Sequence, residues 1–188
     1  MIKTLELKKV KFIESMSEET NCYQAVVYVN GKPAIEVSND GHGGGDMQHP
    51  LAGFDRTIIA AANEFCKKNN PATVFLHGDV TKESFKQKDI LYSCLETWCG
   101  DQLHFQTLKK VAARCTKNKV SFVDINGEVY STPLGKHTEA MVIKHFRTKY
   151  GRDIKILNEL STEEQVKALS FERTDRIKLS YEEAIKIP

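Results

Sequence analysis

Apolar and polar residues alternate along the first third of the chain, while much of the rest repeats its apolar positions every three to four residues. The sequence therefore predicts strands first and helices later. Leu5, Leu7, Val10 and Phe12 make a period-two run over residues 3–13, and the doubled Lys8-Lys9 inside it predicts a bulge or kink. "CYQAVVYV" and "KPAIEV" flank Asn30-Gly31, a pair that accepts the positive φ angles of a tight turn, and so predict a hairpin beside that first strand.

Helical spacing then takes over. Phe54, Ile58, Ala61, Ala62 and Phe65 fall on one face of "LAGFDRTIIAAANEFCKK", which Asn69-Asn70-Pro71 stops. "ATVFLHG", ending at His77, is a short apolar run typical of an interior strand. Two helices are expected next. The first carries Ile90, Leu91, Cys94, Leu95 and Trp98 on one stripe, and the second restarts after Gly100 with Asp101 as its cap. A second hairpin, "KVSFVDI" and "EVYST", surrounds Asn126-Gly127, with Val120, Phe122, Ile125 and Val129 as its apolar positions.

"KHTEAMVIKHFRTKYG" predicts a helix whose buried stripe is Ala140, Ile143, Phe146 and Tyr150, ended by Gly151. "RDIKILNEL" reads as a strand, "STEEQVKAL" opens with Ser161 and Glu164 in capping-box spacing, and "RIKLSYEEAIKIP" closes the chain as a strand and turn. The class these elements imply is α+β, with mixed, mainly antiparallel sheets from two Asn-Gly hairpins and four to five helices. The expected arrangement is one compact, two-lobed unit. Residues 1–80 would form a hairpin-and-helix lobe, and residues 81–188 a helical pair followed by a hairpin-helix-strand lobe.

Composition narrows the class without naming a function. A chain of 188 residues, 40% hydrophobic and 28% charged, can bury a sizeable core and needs no cofactor to fold. The N-terminus lacks an apolar signal segment, and no run approaches the roughly 18–20 apolar residues of a membrane span. A cytoplasmic protein with no membrane partner is expected. Cys22, Cys66, Cys94, Cys99 and Cys115 are odd in number and lie among apolar neighbours, which fits reduced core thiols better than a disulfide framework or a zinc knuckle.

Charge is more informative than its net value of +2. Residues 105–155 hold eleven Lys and Arg against four Asp and Glu, whereas residues 1–94 hold eleven against twelve. Such a block suits a chain that meets phosphate or an acidic partner. Its candidate binding residues are Lys109, Lys110, Arg114, Lys117 and Lys119 on the second of the paired helices and its exit. Lys136, Lys144, Arg147, Lys149 and Arg152 belong to the next helix and its ends. If the two helices packed around the second hairpin, their cations would merge into one field that releases counterions on binding nucleic acid. The competing expectation is an ordinary solvated helix face. Backbone contact is favoured over base reading, since most nearby aromatics fall on positions expected to be buried.

Between the first hairpin and the first helix lies "DGHGGGD", followed by "MQHP". Glycine-rich turns can aim successive amides at an anion, but neither the Walker nor the dinucleotide-binding fingerprint is present. The loop reads as a structural turn, as a contact for a partner or ligand through Asp40, His42, Gly43, Gly44 and Gly45, or as a metal centre. In the metal case the ligands would be His42, Asp46 and His49 with Asp40 in reserve, serving a small metal-dependent hydrolase or nuclease. No nucleophile elbow, Cys-His signature or other catalytic residue can be identified, so a binding protein without cofactor is favoured over an enzyme.

Residues 15–45, "SMSEETNCYQAVVYVNGKPAIEVSNDGHGGG", join a Met-Ser-Glu-Glu-Thr turn through the hairpin to an Asn-Asp-Gly-x-Gly-Gly loop. This segment resembles the N-terminal region of small uncharacterised proteins encoded by bacteriophages and related mobile elements. The resemblance covers about a sixth of the chain and carries over no active-site residue. It implies an accessory protein that binds and inhibits a host protein or ribonucleoprotein machine in the host cytoplasm. Anti-CRISPR inhibitors of Cas9 are one such class.

Overall fold

The computed structural model describes residues 1–76, 80–82, 84–170 and 176–187, so the expectation for His77 lies outside the described residues. The fold is α+β, with five α-helices and three antiparallel sheets among those residues. The chain divides into two compact units, Met1–Leu103 with Thr174–Pro188, and His104–Arg173. No helix among the described residues is long and apolar enough to cross a membrane.

In the first unit, β1 (Leu5–Phe12), β2 (Tyr23–Val29), β3 (Lys32–Asn39) and β4 (Met47–Pro50) pair in sequence order. The β1 register shifts between Lys8 and Lys11, and Lys9 takes φ +54°, so the doubled lysine makes the bulge that its pattern predicts. Asn30 and Gly31 turn the hairpin at φ +50° and +81°. Asn30 also ties down the N-terminus, its Oδ1 accepting from the amides of Lys3 and Thr4. Strand β4 has no counterpart in the sequence-based expectation, since "MQHP" shows no alternation of its own and is held by pairing with residues 35–38.

Tyr23, Ala25, Val27 and Val29 of β2, with Ile35 and Val37 of β3, present one buried face. Helix α1 (Thr57–Asn69) lays Ala62 and Cys66 on it, with Ile58 and Ile59 half-buried beside them. Leu95, Trp98, Cys99 and Leu103, at the start of α2 (Leu95–Thr116), complete this core. The expected helical pair is thus corrected to a single helix of 22 residues running through Gly100 and Asp101. Glycine in a helix costs about 1 kcal/mol relative to alanine, which the burial of Leu95, Trp98, Cys99 and Leu103 outweighs at roughly 1.5–3 kcal/mol per large side chain.

Ile90 and Leu91, expected on a helix, form the short strand β6 (Ile90–Leu91) instead. A three-stranded sheet runs β10 (Arg176–Leu179), β5 (Ala72–Phe75), β6, and α5 (Tyr181–Ala184) packs Ala184 against Ala72, Val74 and Ile90. The first unit therefore extends past residue 80 and recovers the C-terminus, because β5 pairs on one edge with the nearby β6 and on the other with β10 from the end of the chain.

The second unit centres on β7 (Lys119–Val123), flanked by β8 (Val129–Pro133) and β9 (Lys155–Ile156). Its hairpin is held by Asp124, whose Oδ1 accepts from the amides of Asn126 and Glu128 at 2.8 and 2.9 Å. That turn closes the strands at Val123, so Ile125, expected as an apolar strand position, stands 85% exposed at the tip. Helix α3 (Glu139–Tyr150) packs Val142 and Phe146 on Val120 and Phe122. This corrects the expected stripe: Phe146 holds, Ile143 is half-buried, and Ala140 and Tyr150 are exposed. Gly151 ends the helix at φ +91° as its position predicts. "RDIKILNEL" contributes only the two residues of β9 before a 3-10 turn at Leu157–Glu159. Ser161 and Glu164 form the expected capping box at the start of α4 (Thr162–Leu169).

All five cysteines are free, with Cys22, Cys66 and Cys99 buried and Cys94 and Cys115 half-buried. Burial pushes the Cys66 thiol up to about 12 and raises Cys99 further, leaving both as unreactive neutral thiols at physiological pH. In the native protein, alkylation followed by peptide mass spectrometry should therefore label Cys94 and Cys115 first. Cys66 and Cys99 should react only after denaturation, and early labelling of either would contradict this packing.

Candidate functional site

The glycine-rich loop folds back on the Ser17–Thr20 turn. The Gly41 carbonyl accepts from the amides of Glu18, Glu19 and Thr20 at 3.1, 3.0 and 3.2 Å. Gly41 sits at φ +91°, where a Cβ would stand 2.0 Å from the Met16 carbonyl oxygen, so only glycine fits. Asn39 is the hub: its Oδ1 accepts from Thr20 Oγ1 and the Gly41 amide, and its Nδ2 donates to Gly44 O and Asp46 Oδ1. Three of the amides that an anion cradle would use are already committed, Gly41 to Asn39, His42 to Asp40, and Gly43 to Thr20 Oγ1. Asp40, His42, Gly44 and Gly45 are exposed around this clasp, while Gly43 is half-buried against Glu19.

The metal set does not assemble. Asp46 accepts from the Tyr23 hydroxyl and from Asn39, the His42 ring faces Glu18 at 3.3 Å, and His49 lies on β4 opposite Glu36. Among the described residues no three His, Cys, Asp or Glu side chains are placed to hold a metal ion. Loop ligands take their geometry from what the loop packs against, and here Asp46 is turned to its own hydrogen bonds rather than toward the two histidines. Burial, with the Asp46 hydrogen bond second, raises the Tyr23 hydroxyl and keeps it protonated. A cavity of about 270 Å³ beside the loop is lined by Asp46 and Glu96 without a cation.

Cations do converge elsewhere. Lys144, Arg147 and Arg152 line an open groove of about 790 Å³ along α3, with Thr148, Ala140 and Ile143 between them and Glu159 on the far wall. Residues 140, 144 and 147 share one side of α3 because three- and four-residue steps return to one face, and Gly151 turns the chain so that Arg152 joins them. Arg147 is paired with Glu159, an exposed bridge worth at most about 1 kcal/mol. Three cations against one carboxylate leave the groove electropositive.

The other expected cations are not gathered there. Val120 and Phe122 face α3, so the alternating Ser121 points to the opposite side of the sheet, where its Oγ donates to the Cys115 carbonyl. The C-terminal part of α2 therefore lies on the face away from α3, and with it Lys109, Lys110, Arg114 and Lys117. Lys119, two residues from Ser121, shares that face. Lys109 rests over the Phe105 ring and Arg114 bonds the Lys110 carbonyl. Lys149 lies over the Tyr150 ring, and Lys136 is exposed in the turn before α3. One merged field across both helices is thus corrected to a groove of three cations. Thr148 and Glu159 were missed from the sequence: Thr148 was visible as the i+4 neighbour of Lys144, whereas Glu159 arrives only through the pairing of β9 with β7.

No protein-family model, curated protein or solved structure matches this chain.

The two glycines of the loop should separate steric demand from conformational preference. Gly41→Ala should lose about 3 kcal/mol or more in denaturant unfolding, combining positive-φ strain with a backbone clash. Gly44→Ala, at φ +90° with open space around it, should lose about 1–2 kcal/mol. Equal midpoints for the two variants would refute the clasp.

Proposed function

We propose that this chain is a non-enzymatic binding protein that seats the α3 groove on the phosphate backbone of a nucleoprotein. The observation that supports this reading is the convergence of Lys144, Arg147 and Arg152 on one open groove with a single opposing carboxylate. Guanidinium groups match phosphate oxygens bidentately, and an exposed groove lets a strand run through without being enclosed. The Arg147–Glu159 bridge holds that guanidinium in place before binding. Because the groove is lined by aliphatic rather than aromatic side chains, it suits backbone contact and not base reading.

The partner class rests on the N-terminal likeness of residues 15–45 to small phage and mobile-element proteins. On that basis the chain is an accessory protein that inhibits a host nucleoprotein machine such as a CRISPR effector. A hydrolase centred on His42, Asp46 and His49 gains no support from how those side chains are placed.

Three phosphate contacts give a slope of log K against log salt of about −2.7, and so about a 40-fold loss of affinity between 50 and 200 mM salt. Fluorescence anisotropy with labelled duplex should show that dependence. Lys144→Glu with Arg152→Glu should reduce the slope to about −1 or remove binding altogether. Lys149→Glu, outside the groove, should leave the slope within about one unit of wild type. Retention unaltered by the double reversal would remove the groove from this role.

A further inference from the structure

A second opening in the same unit has the opposite chemistry. Phe122, fully buried on β7, forms its base, and the half-exposed rings of Tyr130 from β8 and Tyr150 from the end of α3 form its walls. The three rings pack together, with centroids 5.1 Å apart for Phe122–Tyr130, 4.9 Å for Phe122–Tyr150 and 6.1 Å for Tyr130–Tyr150, so buried Phe122 backs the two exposed tyrosine rings. The space they enclose is about 320 Å³. Asp124 and Asp153 stand on its lining, and neither is in an ion pair among the described residues.

We infer that this cleft binds a single positively charged side chain, an arginine guanidinium or a lysine ammonium, presented by a partner protein. Aromatic faces carry negative charge density and attract a cation placed over them. Two carboxylates beside those faces add a field of the same sense. An apolar side chain would gain nothing from the carboxylates, and a nucleotide would bring its phosphate against both. Within the chain, Lys149 Nζ already lies 5.0 Å from the Tyr150 ring centre. Asp124 is held for the purpose by its two backbone amides, so it does not have to be ordered when the ligand arrives. At the hairpin tip Ile125 is 85% exposed and lines the same cleft, giving the aliphatic stem of an arginine or lysine an apolar surface to lie along.

None of these residues belongs to the phosphate groove, so the inference stands whether or not that groove binds phosphate. A partner that carries nucleic acid on a basic protein surface would offer both chemistries, phosphate to α3 and an arginine or lysine to this cleft.

The test is an NMR titration of the full chain with acetyl-Gly-Arg-Gly-amide, its norleucine counterpart and adenosine monophosphate. A lone side chain on a short peptide binds weakly, at about the millimolar level or above, so the titration runs to about 10 mM. The arginine peptide should shift the ring resonances of Tyr130 and Tyr150 and the backbone of Asp153, while the norleucine peptide leaves them in place. Asp153→Asn, at an exposed position, should weaken binding at least about threefold, and Tyr130→Leu at least about fivefold, the scale of a lost cation–π contact. Lys144→Glu should change nothing here, which separates this site from the groove. Shifts of equal size with norleucine, shifts with the nucleotide instead, or no shift with arginine would each overturn the assignment.

Discussion

The rotation of α3 about its own axis rests on one packing contact, Phe146 against Phe122 at 4.8 Å between ring centres. Burying these two rings with Val142, at roughly 1.5–3 kcal/mol for each large side chain, fixes which side of the helix meets the sheet. The other sides follow from helical geometry. Lys144 and Arg147 turn to the groove on one flank, and Tyr150 turns toward Tyr130. A stripe centred on Ala140, Ile143 and Tyr150 would have rotated the helix and buried the Tyr150 ring that now lines the cleft.

This unit therefore carries two openings of opposite charge on a single small scaffold. One flank of α3 holds three cations with one carboxylate, and the aromatic cleft holds two carboxylates that form no ion pair among the described residues. Complementary fields of this kind affect orientation and association rate more than raw affinity. Opposite signs near each other also discourage wrong partners, because a uniformly acidic or uniformly basic surface meets repulsion at one of the two sites.

The glycine-rich loop stands apart from both. Its glycines are explained by closure: three amides converge on the Gly41 carbonyl, and the Asn39 side chain satisfies both sides of the turn. A sequence rich in Gly, His and Asp resembles a phosphate or metal loop because all such loops need positive φ and short polar side chains. What separates them is whether the donors point outward or are used internally, and here the amides of residues 41–43 are used internally.

Much of the local structure was legible in the amino-acid order. The period-two runs of β1–β3, the Lys8-Lys9 bulge, both hairpins, the Gly151 stop and the Ser161–Glu164 capping box are short-range features, encoded by residues within a few positions of one another. The α+β class followed from them. Long-range pairing was not legible: β4 exists only because β3 offers it an edge, and β10 pairs with β5 across about a hundred residues. Gly100 looked like a helix break because its local cost is real, and only the packed core on both sides of it shows that the cost is overcome. The basic residues could be counted in the sequence, but their division between two faces of a sheet depends on where Ser121 points, and thus on the burial of its neighbours. Composition determined that cations were plentiful; tertiary packing decided which three share a groove, because side-chain direction is set by what the opposite face must bury.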